Sequence, residues 1–520
     1  MYPGTFARTT PDHPAVIMGS SGEVVTYREL DERSNAFAHY LRDAGLQPGD
    51  VVAVLMDNNS RYHEVCWAIR RIGLYWAPIN SHLTADEVAY ILNDCGAKVL
   101  VASSGIAASP ADLGPSAAPA VQARLYVGGP APEGWQSYDE ALKGLPVTAV
   151  DDEVEGDMLQ YSSGTTGRPK GIKRPQRLLP ISLESDLTVP FIRSIAFPED
   201  GSGVYLSPAP LYHTAPNMWS MAVHRLGGTA VVMEKFDPAL ALELIARHKV
   251  THSLFVPTMF VRMLKLPEEQ RLSYDVSSLV QVIHAAAPCP VDIKRRMIEW
   301  WGPIVAEFYS SSEAAGATFI NAEDWLAHPG SVGRPMLGTP YVLDESGNEL
   351  PAGEIGQIWF DSPIPLSYHN DPEKTAQAQD AKGRKTVGDV GYVDADGYMY
   401  LTDRKSFMII SGGVNIYPQE AENLLVEHPK VMDAAVFGIP HPEYGEEVKA
   451  VVQPRDWSQA GPDLERELLE HLRSSLASYK CPRSVDFERE LPRSDTGKLF
   501  KKQLQDKYRQ PTVPTAAAGG

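Results

Sequence analysis

The sequence predicts an α/β protein: a large N-terminal domain of layered α/β subdomains with a small barrel-like part, then a small mobile α+β C-terminal domain. Three observations predict it. Over residues 24–102 short apolar runs alternate with amphipathic segments, the pattern of strands joined by helices in a largely parallel sheet. From Thr339 to Tyr400 the texture changes to short strands and Gly/Asp turns. After Leu401 a separate set of two helices and two strands begins.

In order, Val24-Val25-Thr26-Tyr27 reads as a strand and Arg28 to Ala44 as a helix closed by Gly45. Val51 to Met56 is an apolar run suited to a buried strand. Ser60 is placed to cap a helix carrying Val65, Ile69 and Ile72 on one face and ended by Gly73. Trp76 to Asn80 reads as a strand. Thr84-Ala85-Asp86-Glu87 is a capping box that starts a helix stopping at Gly96, and Ala97 to Ala102 is the next strand. Ser103 to Ala120, rich in Ala, Pro, Ser and Gly, reads as a long surface loop. Asp157-Met158-Leu159-Gln160 ends a strand, and Ala230–Met233 and Ser253–Val256 are two more. Asp394-Ala395-Asp396-Gly397 is a hairpin turn. Glu420–Glu427 and Leu464–Ala477 read as helices, Val431–Phe437 and Val448–Gln453 as strands. The expected division is a large N-terminal domain over 1–402, a hinge at 403–406, a small lid domain over 407–510 and a disordered tail over 511–520.

A chain of 520 residues exceeds what one core holds. No run of 18 apolar residues appears, so no transmembrane helix is expected, and the first residues lack the basic and apolar regions of a signal peptide. Cys66, Cys95, Cys289 and Cys481 match no zinc or disulfide spacing, which fits a reducing cytoplasm. The net charge of −19 argues against broad nucleic-acid binding. Any site for a polyanion must then be locally positive within an acidic shell.

One stretch meets that need. Tyr161-Ser162-Ser163-Gly164-Thr165-Thr166-Gly167-Arg168-Pro169-Lys170-Gly171 gathers hydroxyls, glycines and two cations. Glycines let backbone N–H groups converge on an oxygen, and Ser and Thr add rotatable donors. It is not a Walker A loop, because the lysine stands three residues after Gly167 and is followed by Gly171.

This loop resembles the phosphate loop of the adenylate-forming superfamily, which includes acyl-CoA synthetases, amino-acid adenylation domains and beetle luciferases. Further motifs follow in family order. Thr26-Tyr27-Arg28-Glu29-Leu30 is similar to the first signature, and Pro210-Leu211-Tyr212-His213 to the motif entering the acyl pocket. Ala285-Ala286-Ala287-Pro288 is similar to the adenine-flanking turn. Phe308-Tyr309-Ser310-Ser311-Ser312-Glu313 resembles the YGxTE signature, with Ser in place of both Gly and Thr. Gly388-Asp389 stands at the ribose motif, and Asp403-Arg404-Lys405 at the hinge. Ser411 to Pro418 resembles the glycine loop, and Pro492-Arg493-Ser494-Asp495-Thr496-Gly497-Lys498 the PRxxxGK motif.

The resemblance implies an AMP-forming acid–CoA ligase using ATP, Mg²⁺ and CoA. A carboxylate attacks the α-phosphate in line, and positioned charge stabilises the pentavalent phosphorus and departing pyrophosphate. It assigns catalysis to Lys498, Glu313 and Thr165, with Glu313 as the Mg²⁺ carboxylate. Nucleotide binding falls to Ser162, Ser163, Gly164, Thr166, Gly167, Lys170, Ala287, Pro288, Phe308, Tyr309, Ser312, Asp389 and Arg404. The acyl pocket takes His213, Thr214, Met218, Ala286 and Ala314, and the CoA loop Gly412 and Gly413. Ser406 departs from the charged residue that family hinges often carry, and His284 is bulkier than expected beside the adenine turn.

The chain contains no carrier-protein segment, so the acceptor comes in trans. Free CoA is the first expectation, and a separate carrier protein the alternative. Amino-acid adenylating relatives set an acid just after the position of His213, whereas Thr214-Ala215-Pro216-Asn217 offers no charge. An α-ammonium there loses hydration without a partner. A hydrophobic carboxylic acid is therefore expected, medium- or long-chain fatty acids first and aryl acids second. Oligomeric state is left open, a homodimer included.

Overall fold

A computed structural model describes residues 1–162, 169–183, 188–494 and 497–509. Three sheets carry the fold. The first has seven strands in the order Gln136–Ser137, Ala123–Val127, Val99–Ser103, Val51–Leu55, Tyr75–Pro78, Asp157–Ser162, Lys170–Lys173. All neighbours are parallel except the last pair, a hairpin that sets Ser162 opposite Lys170. Val51–Leu55 is apolar throughout and buried throughout, as a central strand covered on both faces must be.

The helices begin where their caps place them. Thr26 accepts from the Glu29 backbone N–H while the Glu29 carboxylate accepts from that of Thr26, which starts Tyr27–Asp43. Thr84 and Glu87 repeat the device for Ala85–Cys95, and Gly96 closes it at φ 64°. Tyr27 thus opens the helix rather than ending the strand. Ser60 does not cap the next helix: Tyr62–Arg71 begins after Arg61 without a side-chain cap. The stretch after Ser103 is not wholly surface. Leu113 and Ala118 are buried, and the Arg124 guanidinium donates to the carbonyls of Leu113, Ala118 and Val121.

The second sheet has thirteen strands. One half is mainly parallel, through Pro14–Met18, Thr229–Val232, Val204–Ser207, His252–Phe255, Gln281–His284 and Val305–Ser310, with Val24–Thr26 antiparallel at its edge. The other half is antiparallel: Ala317–Ile320, Ser331–Leu337, Met399–Arg404, Asp389–Val393, Gly356–Asp361 and Thr339–Leu343. The part read as barrel-like is this antiparallel end. Its hairpin turn is the one expected, with Gly397 at φ 84° donating its N–H to Asp394.

The first two sheets are stitched together through a buried carboxylate. Oε1 of Glu155 accepts from Arg70 at 2.9 and 2.5 Å and also from Arg225, and both guanidiniums lie over the Trp67 ring. Two buried cations on one acid make Glu155 costly to remove, about 3–5 kcal/mol.

The third sheet lies after Met408. Gly445–Pro454 and Val431–His441 form its long hairpin, with Ile409–Ser411, Val414–Ile416 and Ser484–Phe487 alongside. Helices Gln419–Glu427 and Pro462–Ser475 bury Leu425, Leu464, Leu468 and Leu472 against it. Among the described residues no helix is long and apolar enough to cross a membrane. The tail 511–520 lies outside the described residues.

Candidate active site

The motifs converge because they sit at the carboxyl ends of strands. Val204–Ser207, Gln281–His284 and Val305–Ser310 point their C-terminal ends the same way, and the connections after them carry His213, Ala286 and Glu313.

Alternation along Val305–Ser310 divides the site. Tyr309 turns to the antiparallel half, its ring 6.3 Å from Phe360 and inclined 24°. Its hydroxyl donates to Oδ2 of Asp389 at 2.5 Å. Oδ1 of Asp389 faces Nε of Arg404 at 3.2 Å. Asp389 and Arg404 are cross-strand partners, so the hairpin brings these two side chains together. Burial and the Asp389 charge push the Tyr309 hydroxyl far up, which keeps it a donor.

Lys498 stands in the same field. Burial first and Arg404 second bring its ammonium down to about 8, while Glu313 and Asp389 pull the other way. Its turn is tight: the Gly497 N–H donates to the Ser494 carbonyl at 2.7 Å, and the Lys498 N–H to Oγ of Ser494 at 3.1 Å. Lys170 is brought down to about 8 as well, by burial and then by Lys374, with Glu313 opposing. Oε1 of Glu313 accepts from the Tyr368 hydroxyl at 3.1 Å, and the Lys170 ammonium lies 5.7 Å from the centre of that ring. Ser163, Gly164, Thr165, Thr166 and Gly167 lie outside the described residues. Ser162 and Lys170, which flank them, form the mouth of the hairpin.

On the other face of the strand, Phe308 meets Phe191 and Trp219 with ring centres 5.8 and 6.2 Å apart, and Phe319 joins through Phe191 at 5.8 Å. Trp219 is buried, while Phe191, Phe308 and Phe319 keep part of their surface open. Oγ1 of Thr214 lies 3.4 Å from Oγ of Ser312, and Arg174 donates to the Ser312 carbonyl at 3.1 Å. Phe308 and Ser312 belong to one stretch of chain, and Thr214 and Trp219 to one helix. His213 precedes the helix Thr214–Arg225, its ring 4.7 Å from that of Tyr212. Met218 packs against the core beneath the first sheet, and Trp219, one position on, enters the ring group.

Ala286 and Ala314 have φ of 73° and 51°, a left-handed conformation that costs an alanine about 1 kcal/mol or more. Ala287 and Pro288 complete the turn after Ala286. Gly412 and Gly413, at φ 57° and 80°, make the hairpin turn of the third sheet, and the Gly412 N–H donates to the Tyr444 carbonyl. His284 faces away from the ring group: Ile283 and Ala285 join it, whereas His284 packs on Phe260 and lies 3.3 Å from Glu307. Its ring does not join Phe191, Trp219, Phe308 and Phe319.

Phe191, Phe319, Arg174, Tyr368 and Lys374 escape sequence reasoning, since each meets the motifs only through distant pairing. A basic residue two positions beyond Ile172 and an aromatic among polar residues at 368 were the available signals.

A profile described as AMP-binding enzyme matches residues 5–367, and one described as AMP-binding enzyme C-terminal domain matches residues 420–498. The chain belongs to the AMP-binding enzyme family. It is 36% identical to a feruloyl-CoA synthase of Amycolatopsis sp over 98% of both chains. It is 30% identical to the long-chain-fatty-acid–CoA ligase FadD13 of Mycobacterium tuberculosis, again over 98% of both. The ATP-bound crystal structure of MatB from Rhodopseudomonas palustris superposes with a TM-score of 0.80 at 30% identity, over 98% of this chain and 99% of that one. The fold is thus that of AMP-forming enzymes.

Among the described residues no group of three or more His, Cys, Asp or Glu is poised for a metal. Mg²⁺ ordinarily takes one or two carboxylates plus phosphate oxygens, so Glu313 alone fits that ion.

Proposed function

We propose that this AMP-forming acid–CoA ligase acts on a ring-bearing hydrophobic carboxylic acid of the aryl or cinnamate type. The observation that carries this reading is the group of four aromatic rings, three of them partly open, contributed in part by the helix that Thr214 starts and the strand that precedes Ser312. Aromatic faces and edges favour an aromatic guest over an alkyl chain, by about 0.5–1.5 kcal/mol per ring pair. This reading puts aryl acids first, where the sequence alone puts fatty acids first. The similarity to a feruloyl-CoA synthase supports the same order.

In this reading ATP lies with adenine against Tyr309 and ribose on Asp389 and Arg404. The acid enters past His213 and Thr214 with its ring against the open edges of Phe191, Phe308 and Phe319. Its carboxylate oxygen attacks the α-phosphorus and the bond to pyrophosphate breaks. Lys498 bridges the carboxylate and the α-phosphate, adding charge where it develops. Glu313 would hold Mg²⁺, whose contribution is to neutralise phosphate charge. The lid after residues 403–406 then turns, and the CoA thiol attacks the mixed anhydride, releasing AMP. Four unpaired cysteines support a reducing, cytoplasmic setting.

The test is competition among octanoate, palmitate, benzoate, a cinnamate, phenylalanine and leucine in CoA-dependent AMP release. The cinnamate should lead, and Phe191→Ala should lower its kcat/KM about tenfold more than that of octanoate. If palmitate or an amino acid leads, the aryl reading is wrong.

A further inference from the structure

Helix Pro257–Leu264 belongs to the N-terminal part of the chain, yet both of its ends touch the lid. At its start, Gly497 approaches Thr258 so closely that a Cβ there would stand 2.3 Å from Oγ1. At its finish, the Lys265 ammonium donates to the carbonyls of Val431 and Met432 at 2.5 and 3.2 Å. Arg455 of the lid returns the contact, donating to the Lys265 carbonyl at 2.9 Å. Lys265 is far from the reacting groups in sequence and resembles no motif.

The next lid residue leads back to the chemistry. Asp433 accepts from Arg493 twice, at 2.5 Å from Nε and 2.7 Å from Nη2. The third guanidinium nitrogen, Nη1, donates to the Gly497 carbonyl at 2.5 Å. Lys498 follows directly. A bidentate Arg–carboxylate pair has a fixed orientation, so it transmits the position of strand Val431–His441 to this turn.

We propose that Lys265 is a positioning residue for Lys498, acting through Val431–Met432, Asp433 and Arg493, and that it serves the adenylate-forming step alone. The inference rests on the acid–CoA ligase reading. The contacts exist only with the lid seated as it is here. A lid that turns away to let the thiol in must break both ends of the bracket, so Lys265 contributes nothing to thioester formation.

The experiment compares two half-reactions: acid-dependent exchange of pyrophosphate into ATP, and thioester formation from supplied acyl-AMP and CoA. Lys265→Met should lower kcat for exchange about tenfold, with KM for ATP and acid and the second half-reaction within about twofold, since misplacing a catalytic group by a fraction of an ångström acts on rate. Lys265→Arg should restore exchange to within about threefold. Asp433→Asn enters the same relay from the lid, and the double variant should be no worse than the poorer single one, as members of one unit are non-additive. Should Lys265→Met fold poorly, the Asp433→Asn pattern decides. Equal loss in both half-reactions, or loss in neither, overturns the proposal. Lys498→Ala run alongside separates the two possible failures. If it retains exchange, the role of Lys498 is wrong and the relay has no purpose. If it loses exchange while Lys265→Met does not, the relay alone falls.

Discussion

Gly497→Ala sets a backbone cost against a steric one. Gly497 has φ 75°, where an alanine costs about 1–2 kcal/mol. That cost weakens the turn but leaves it able to form. The added methyl is the larger disturbance, because it would stand 2.3 Å from Oγ1 and 3.1 Å from Cγ2 of Thr258. Thr258 is held by a helix whose Met259, Phe260 and Met263 are buried in the core, so the lid gives way first. Regaining ordinary contact needs a shift of roughly 1 Å, and the residue displaced with it is Lys498. A misplacement of that size costs about 10²-fold in rate. Acid-dependent pyrophosphate exchange should therefore fall about a hundredfold, while thioester formation from supplied acyl-AMP stays within a few-fold. Thr258→Ala removes both opposing atoms. The double variant should recover most of the loss, keeping only the backbone share. If Thr258→Ala brings no recovery, this contact does not set the position of Lys498 and the reasoning is refuted.

Two further outcomes follow from charge. Lys498 works as a cation and is brought down to about 8, so kcat/KM for adenylation should fall as pH rises through that value; in Lys498→Arg, whose guanidinium keeps its proton, the alkaline fall should move out of range, and an unmoved limb would assign it to another group. His224 is buried, donates or accepts only internally, and burial takes it down to about 4. The unfolded chain then binds a proton near 6.5 that the folded chain refuses, so the stability it contributes is complete above that value and is lost as pH falls toward 4, by up to ~1.4 kcal/mol per pH unit. Glu64, raised to about 7 by burial, acts in the opposite sense, so the measurement is a difference: the destabilisation caused by His224→Gln should shrink by about 2 kcal/mol between pH 6.5 and 5 in denaturant melts, and a constant gap would contradict the linkage.

What the sequence discloses is what neighbours in the chain decide. The capping box read at Thr84 involves residues three apart and forms; the same device at Thr26 escapes a reading that runs the strand through Tyr27. The all-apolar Val51–Leu55 reads as a central strand because no face of it can meet water. Ser60 fails as a cap because Asn59 and Arg61 settle the turn before the helix differently, with the Asn59 side chain taking the Arg61 N–H. The buried stretch near Leu113 escapes notice because Arg124, which organises it, acts through three carbonyls that carry no signature in composition. The proposed nucleotide side is legible since it rests on motifs that are each contiguous in the chain, Gly388-Asp389 and Phe308 to Glu313 among them. The acid side is not, because Phe191 and Phe319 reach Phe308 only after distant strands and helices have paired. His284 shows how little spacing alone decides: one residue's difference along a strand sends it to the opposite face from Ala285.

The same one-residue rule has a consequence at Phe308 and Tyr309. Adjacent in the chain, they face opposite sides of the strand, one toward Phe191 and Trp219 and one toward Asp389. Exchange of the ring at 308 leaves the hydroxyl of Tyr309 on Asp389. On the proposed assignment of the two walls, a new acid can therefore be accommodated by changes at 191, 219, 308 and 319 while the nucleotide contacts stay. A scaffold so divided can be retuned one wall at a time.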